Sequence, residues 1–210
     1  MYVLYYSPGT ASMAVHQTLI ETAAAHELRE IDFDAREQKS ADYLRLNPNG
    51  MVPTLIVDGA PIYECAALLL LLTERHPEAD LAPQPGTPPR ATFLQWIAHF
   101  ANTLQPAFRQ WFYPQDFAPI EYEKESKEFA RRRIEAVWTR LDAHLCAHGP
   151  YVLADRFSAA DIYATMLMRW SRNMPRPATT WPALDTLAQR VKARASWKRL
   201  YETEGLTEWA

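Results

Sequence analysis

The spacing of apolar positions changes character once along the chain. Up to about residue 80, short apolar runs alternate between two periods. Tyr2 to Tyr6 is an aromatic and β-branched run that ends at Ser7-Pro8-Gly9, which predicts a strand followed by a turn. Ser12 to Ala25 carries Val15, Leu19 and Ala23 four residues apart and predicts a helix. Leu28 to Phe33 alternates apolar and charged residues, as a half-buried strand does. Thr54 to Val57, bounded by Pro53 and by Asp58-Gly59, predicts a strand, with Pro61 to Tyr63 as its hairpin partner. Cys65 to Arg75 is apolar on nearly all sides and predicts a helix held between layers. With a short helix around Tyr43, the order is βαβ, helix, then ββα.

Leu81 to Pro89 contains four prolines in nine residues, and proline both removes a backbone donor and blocks helix entry, so this stretch predicts a stiff linker. Beyond it the period is helical throughout. Leu94, Ile97, Ala101, Leu104 and Phe108 step by three and four, as do Ala130, Ile134, Val137, Leu141 and Leu145. Ser158-Ala159-Ala160-Asp161 is a capping-box pattern with Asp in place of Glu, and Phe157 and Ile162 stand at the staple positions. Leu184, Leu187 and Val191 predict one more helix before Trp197. The expected organisation is an α/β domain over 1–80, a Pro-rich linker over 81–90 and an all-α domain over 91–210.

Composition narrows the class. A chain of 210 residues, 48% hydrophobic and 22% charged, can bury a sizeable core. Its 2 cysteines, Cys65 and Cys146, exclude a disulfide scaffold. The apolar run Ala66 to Leu72 is too short to span a bilayer and the first residues lack a basic leader, so the expectation is a cytoplasmic protein with no membrane partner. A net charge of -3 argues against nucleic acid as a partner. Residues 1–80 hold 5 Lys/Arg against 12 Asp/Glu, and residues 81–210 hold 17 against 13, which suggests two units with different tasks. The six histidines show no metal-ligand spacing, and there is neither a Walker loop nor a dinucleotide fingerprint, so no metal is expected.

Four segments in order carry a family resemblance: Tyr5-Tyr6-Ser7-Pro8-Gly9-Thr10-Ala11-Ser12, Asn47-Pro48-Asn49-Gly50-Met51-Val52-Pro53-Thr54-Leu55, Tyr63-Glu64-Cys65-Ala66-Ala67-Leu68 and Phe157-Ser158-Ala159-Ala160-Asp161-Ile162. Together they resemble the cytosolic glutathione transferase family, in its bacterial beta-like type, over essentially the whole chain. The resemblance implies a thioredoxin-like α/β N-terminal domain, an all-α C-terminal domain and a C2 homodimer. It also implies glutathione, as substrate or cofactor, and a small hydrophobic electrophile. The implied reaction is attack of the glutathione thiolate on that electrophile. A non-catalytic glutathione- or protein-binding module and a glutathione-dependent isomerase are alternatives on the same fold.

The chemistry assigns candidate roles. A thiol with a pKa of about 8.5 is mostly protonated at neutral pH, and a hydroxyl donor or a helix N-terminus lowers that value. Ser12, at the start of the first predicted helix, is the leading thiolate stabiliser, with a plain N-cap as its other reading; Thr10, Tyr6 and Ser7 are the other hydroxyls in reach. The resemblance implies a cis Val52-Pro53 bond whose neighbouring main chain pairs with the cysteinyl backbone, a small case of strand addition. It further implies that Glu64 meets the γ-glutamyl ammonium, that Cys65 stands where the family's carboxylate-binding Ser would be, and that Arg36 meets the glycyl carboxylate. Arg109, Trp111, Tyr113, Trp170 and Arg172 are expected to shape the electrophile pocket. Three departures stand out: Ala11 replaces the loop cysteine of beta-class enzymes, and Ala98 and Gln105 replace the family's glutathione-facing Asn and His. No loop nucleophile for a mixed disulfide remains.

Overall fold

Four strands build one sheet in the computed structural model, which describes residues 1–209. They are β1 (Tyr2–Tyr6), β2 (His26–Glu30), β3 (Thr54–Val57) and β4 (Ala60–Tyr63), in the order β2-β1-β3-β4. β1 and β2 are parallel, with Tyr2 opposite His26, so a crossover is required, and helix α1 (Ser12–Glu21) supplies it. β3 runs antiparallel to β1 and pairs with β4 through a tight hairpin. Its two turn residues, Asp58 and Gly59, both take positive φ, 53° and 84°, the backbone twist that two-residue hairpins favour. A short helix α2 (Ala41–Leu46), capped by the Ser40 hydroxyl accepting from Tyr43 N–H, precedes β3, and α3 (Cys65–Arg75) follows β4. This is the thioredoxin-like arrangement expected.

The helical part comprises α4 (Pro88–His99), α5 (Gln105–Phe112), α6 (Glu123–His148), α7 (Ala159–Trp170), α8 (Pro182–Lys192) and α9 (Ala195–Thr203). Contacts divide the chain into one unit of Met1–Ala82 together with the segment from Lys192 onward, and a second of Pro83–Val191. The sequence pattern carried the helical domain to residue 210; instead α9 packs on α1, within the first unit. The reason is legible in α1, where every residue from Ser12 to Leu19 is buried. α3 covers one flank and α9 another. A helix with no exposed face needs a second neighbour.

Several boundaries moved. The first helix ends at Glu21, not Ala25: Ala23 sits at φ 51° and the Thr22 hydroxyl turns back to the Thr18 carbonyl. β2 begins at His26 and stops at Glu30, because its register is set by β1. The last two linker prolines, Pro88 and Pro89, open α4, where the missing N–H costs no helical bond. The greatest change is in the first long helix. Leu94 is exposed and Ala101 half-buried, while Phe93, Trp96 and Phe100 are buried. Phe100–Leu104 is a π-turn between α4 and α5, placed just before Pro106, whose ring cannot continue the α-helical bond pattern. Ile97, Leu104 and Phe108 are buried as expected, before, at the end of and after that turn.

In α7 the predicted cap is present. Asp161 is buried and accepts from Ser158 N–H at 2.8 Å, the Ser158 hydroxyl at 2.9 Å and Val152 N–H at 2.8 Å. Three donors converge on one carboxylate, which fixes both the helix start and the loop before it.

Candidate active site

The loop between β1 and α1 is closed by its own hydroxyls. The Thr10 hydroxyl donates to the Ser7 carbonyl at 2.7 Å, and the Ser12 hydroxyl does the same at 3.1 Å. Ser7 N–H reaches Ser12 Oγ at 3.3 Å, Ser12 N–H reaches Thr10 Oγ1 at 3.4 Å, and the two hydroxyl oxygens lie 2.9 Å apart. Ser12 is 0% exposed, whereas Thr10 is half-buried. Ser12 does not cap α1: the cap position is Ala11, in helical conformation, and Ser12 is the first helical residue. Its side chain points back into the loop.

Tyr6 lies at the end of β1, buried, with its hydroxyl donating to Glu30 Oε2 at 3.4 Å. Burial, with the negative charges of Glu30 and Glu204, pushes its phenol above the ordinary 10, so it remains a neutral donor. The neighbouring Tyr5 hydroxyl accepts from Arg29 at 3.1 Å.

The segment before β3 is braced from α2. Met51 carbonyl accepts from the Tyr43 hydroxyl and from Asn47 Nδ2, each at 2.8 Å, and Asn47 Nδ2 also reaches Thr54 Oγ1 at 3.2 Å. The Val52-Pro53 bond is cis, as expected. Among the described residues the Val52 main chain makes no hydrogen bond, in contrast to Met51 before it and Thr54 after it. Gly50, at φ 58°, has no room for a side chain: a Cβ would lie 2.7 Å from both Gln38 O and Lys39 Nζ. Lys39 donates to Asn49 O at 3.2 Å, so this cation stands directly beside the loop. Arg36 is exposed, at φ 57°, ahead of the turn at Glu37–Lys39.

At the β4–α3 junction, Glu64 is exposed and takes φ 78°. Cys65 opens α3 and is 4% exposed; its thiol donates to Ala11 O at 3.5 Å. The start of α3 is thereby tied to the start of α1, and the two helix N-termini face one region of the first unit. Convergent N–H groups and positive dipole ends suit an anionic ligand there.

A brace the sequence reading missed comes from the far end of the chain. Glu204, which closes α9, accepts from Gly9 N–H at 3.0 Å and pairs with His16 Nδ1 at 2.8 Å. Both side chains are sealed from solvent. Farther along α1, Arg194 grips Glu21 with bonds of 2.6 and 2.8 Å, and Gln17 donates to Ser196 at 3.2 Å. Lys39 was missed too. Neither contact has a local signal, since the partners of Glu204 lie 195 and 188 residues away.

In the second unit, Trp170 packs edge-on against Phe108 at 5.7 Å and Phe112 at 6.2 Å. The Arg109 guanidinium lies 3.9 Å from the Tyr113 ring centre and also pairs with Asp116, so its charge is already met. Trp111 is half-buried, and Arg172 donates to the Arg169 carbonyl at 3.2 Å. Gln105 accepts from the Tyr163 hydroxyl.

The family patterns of the glutathione S-transferase N-terminal domain and C-terminal domain match residues 1–72 and 102–203. A glutathione S-transferase of Xanthomonas campestris pv. campestris is 34% identical over 207 residues, covering 97% of this chain and 98% of the relative. A glutathione transferase homologue from Sulfitobacter, solved with bound glutathione, superposes with a TM-score of 0.90 at 28% identity, covering 99% of each chain. A bacterial beta class glutathione S-transferase of Sphingomonas chungbukensis superposes with a TM-score of 0.85 at 29% identity, over 98% of this chain and 100% of the other. The chain belongs to the glutathione S-transferase family.

Proposed function

We propose that the first unit binds glutathione and presents its thiolate to a small hydrophobic electrophile. The observation that carries this reading is the Ser7–Thr10–Ser12 hydroxyl cluster at the start of α1. Two hydroxyl protons serve three possible bonds. Thr10 can turn its proton toward an arriving sulfur while Ser12 keeps the Ser7 carbonyl satisfied. Thr10 is thus the direct donor and Ser12 its positioning residue, and Tyr6 assists as a neutral phenol. The unpaired Val52 main chain beside Pro53 takes the cysteinyl backbone. Glu64 takes the γ-glutamyl ammonium, and the N–H groups at the start of α3, with Cys65, take its carboxylate. Arg36 and Lys39 serve the glycyl carboxylate. On the acceptor side, Trp111, Tyr113 and Trp170 supply apolar surface, with Arg172 for a polar substituent, while Arg109, paired with Asp116, holds the Tyr113 ring. The enzyme acts as a cytoplasmic homodimer.

In the reaction the thiol proton leaves to solvent, the sulfur lone pair forms the S–C bond, and the electrophile's leaving group departs with its electron pair or, in an addition, takes up a proton. The protein contributes positioning and thiolate stabilisation. The test is the ultraviolet thiolate absorbance of the glutathione complex against pH, in wild type, Thr10→Val, Ser12→Ala and Tyr6→Phe. A hydrogen bond to an ionised group contributes about 1.5–3 kcal/mol, so Thr10→Val should raise the bound thiol's pKa by about one to two units. Turnover at neutral pH should fall roughly tenfold to a hundredfold, recovering partly at higher pH. A titration unmoved by any of the three variants would refute hydroxyl activation.

A further inference from the structure

At the end of the sheet away from the β1–α1 loop, three side chains are joined by hydrogen bonds. Tyr2 opens β1, about 13 Å of strand before Tyr6. α3 ends at Arg75, since Pro77 cannot continue it, and the turn Pro77–Ala79 brings Glu78 back beside His76. The Tyr2 hydroxyl lies 3.1 Å from His76 Nε2, and His76 Nδ1 lies 3.2 Å from Glu78 Oε1. The two rings also meet edge-on, with centres 5.8 Å apart.

The proton positions follow from the chemistry of the groups. A carboxylate only accepts, so His76 Nδ1 carries the proton that Glu78 receives. In the neutral ring Nε2 is left with a lone pair, and the Tyr2 hydroxyl donates to it. A carboxylate, an imidazole and a hydroxyl in this order activate an oxygen nucleophile. The imidazole takes the hydroxyl proton, and the carboxylate keeps the imidazole in the required tautomer. Arg75 adds a cation. Its charge is favoured first by Asp58, whose carboxylate lies 2.6 Å away, and next by the Tyr2 oxygen; both raise the guanidinium above its ordinary 12.5. A cation beside the phenol oxygen favours the phenolate as the proton leaves. Tyr2 and His76 are both half-buried, so they are held in place yet open to a small reagent.

We propose that Tyr2 is a nucleophilic phenol and the site of covalent acylation by a small activated ester, with His76 as its base and Glu78 orienting that base. Arg75 meets the developing phenolate. In the step, the phenol proton passes to His76 Nε2, the phenol oxygen bonds the acyl carbon, and the bond from that carbon to the leaving oxygen breaks. The leaving group departs with the electron pair and takes the proton from His76. The product is an O-acyl tyrosine, formed without glutathione and away from the Ser7–Thr10–Ser12 loop.

The probe is p-nitrophenyl acetate, applied to the full-length protein in the absence of glutathione, with acetylated residues mapped over time by peptide fragmentation. Acetyl should accumulate on Tyr2 faster than on Tyr122, a more exposed phenol with no imidazole partner among the described residues. Hydroxylamine should remove it, as it removes a phenol ester but not an amide on the Met1 amine. His76→Gln should slow acetylation of Tyr2 about a hundredfold or more, the contribution of a positioned base. Glu78→Gln, at an exposed position that leaves the fold intact, should fall between. Tyr2→Phe should abolish the hydroxylamine-labile label. A Tyr2 rate unchanged by His76→Gln or by Glu78→Gln overturns the proposal, because a hydrogen bond that merely ties β1 to α3 sets no rate. So does a label confined to the Met1 amine, and so does Tyr122 acetylated as fast as Tyr2.

Discussion

Ser12 and Cys65 both turn their polar atoms toward the loop between β1 and α1, and each has a measurable consequence. Removing the Ser12 hydroxyl strips the Ser7 N–H and one donor to the Ser7 carbonyl inside a fully buried setting. Ser12→Ala should lose about 1–3 kcal/mol of stability, read as a lowered urea midpoint with an unchanged slope. Cys65 is too deeply buried, with its thiol on Ala11 O, to serve as a nucleophile in place of the missing loop cysteine. Turnover of a mixed glutathione disulfide should be negligible. Robust turnover abolished by Cys65→Ala would contradict this. The residue types at these positions were readable in sequence; which way each side chain points was not, because a hydroxyl beside a helix start has both a capping and a loop-bracing geometry open to it.

At the scale of elements, the contact of α9 with α1 decides how the loop is held. Burial pushes the Glu21 carboxyl up, but bonds from Arg194 and Ser196 and the Arg194 charge outweigh it and leave the group below the usual 4.5. A depressed carboxylate contributes stability that is present above the unfolded pKa and lost as pH falls through the folded one. The α1–α9 contact should therefore weaken below about pH 4.5, and Glu21→Gln should flatten that acid limb of the stability profile. Glu204→Ala removes the carboxylate that accepts from Gly9 N–H and pairs with the buried His16. It should cost about 2–4 kcal/mol and raise the KM for glutathione more than it lowers kcat, since the loop is displaced rather than stripped of a reacting group. An unchanged KM would mean that the brace does not reach the site.

For the whole molecule, ligand binding to the native state must stabilise it. Glutathione at about a hundred times its Kd should add about 2.7 kcal/mol and raise Tm, with the transition following glutathione concentration. No shift at millimolar glutathione would remove the binding reading altogether. A chain ending at Val191 would bare one flank of α1, whose residues Ser12 to Leu19 are all buried. Its first unit should lose its cooperative melt by circular dichroism, although nothing is deleted from the sheet.

What the sequence alone determined is whatever depends on neighbours a few residues apart. The strands β1, β3 and β4, the α3 helix, the Asp58-Gly59 turn and the Ser158–Asp161 cap all follow from local pattern and appear as expected. The Val52-Pro53 geometry followed from resemblance to related chains. Tertiary structure decided the rest. The apolar period from Leu94 to Phe108 kept Ile97, Leu104 and Phe108 buried but left Leu94 exposed, and the π-turn before Pro106 divided it between α4 and α5. The C-terminal helix joined the first unit because α1 had a second apolar flank to bury. Lys39 reached the loop of Gly50, and Glu204 the loop of Gly9, because folding brought them there. Hydrophobic period records which face of an element is buried, not against what, and a hydrogen bond spanning 195 residues leaves no trace in spacing.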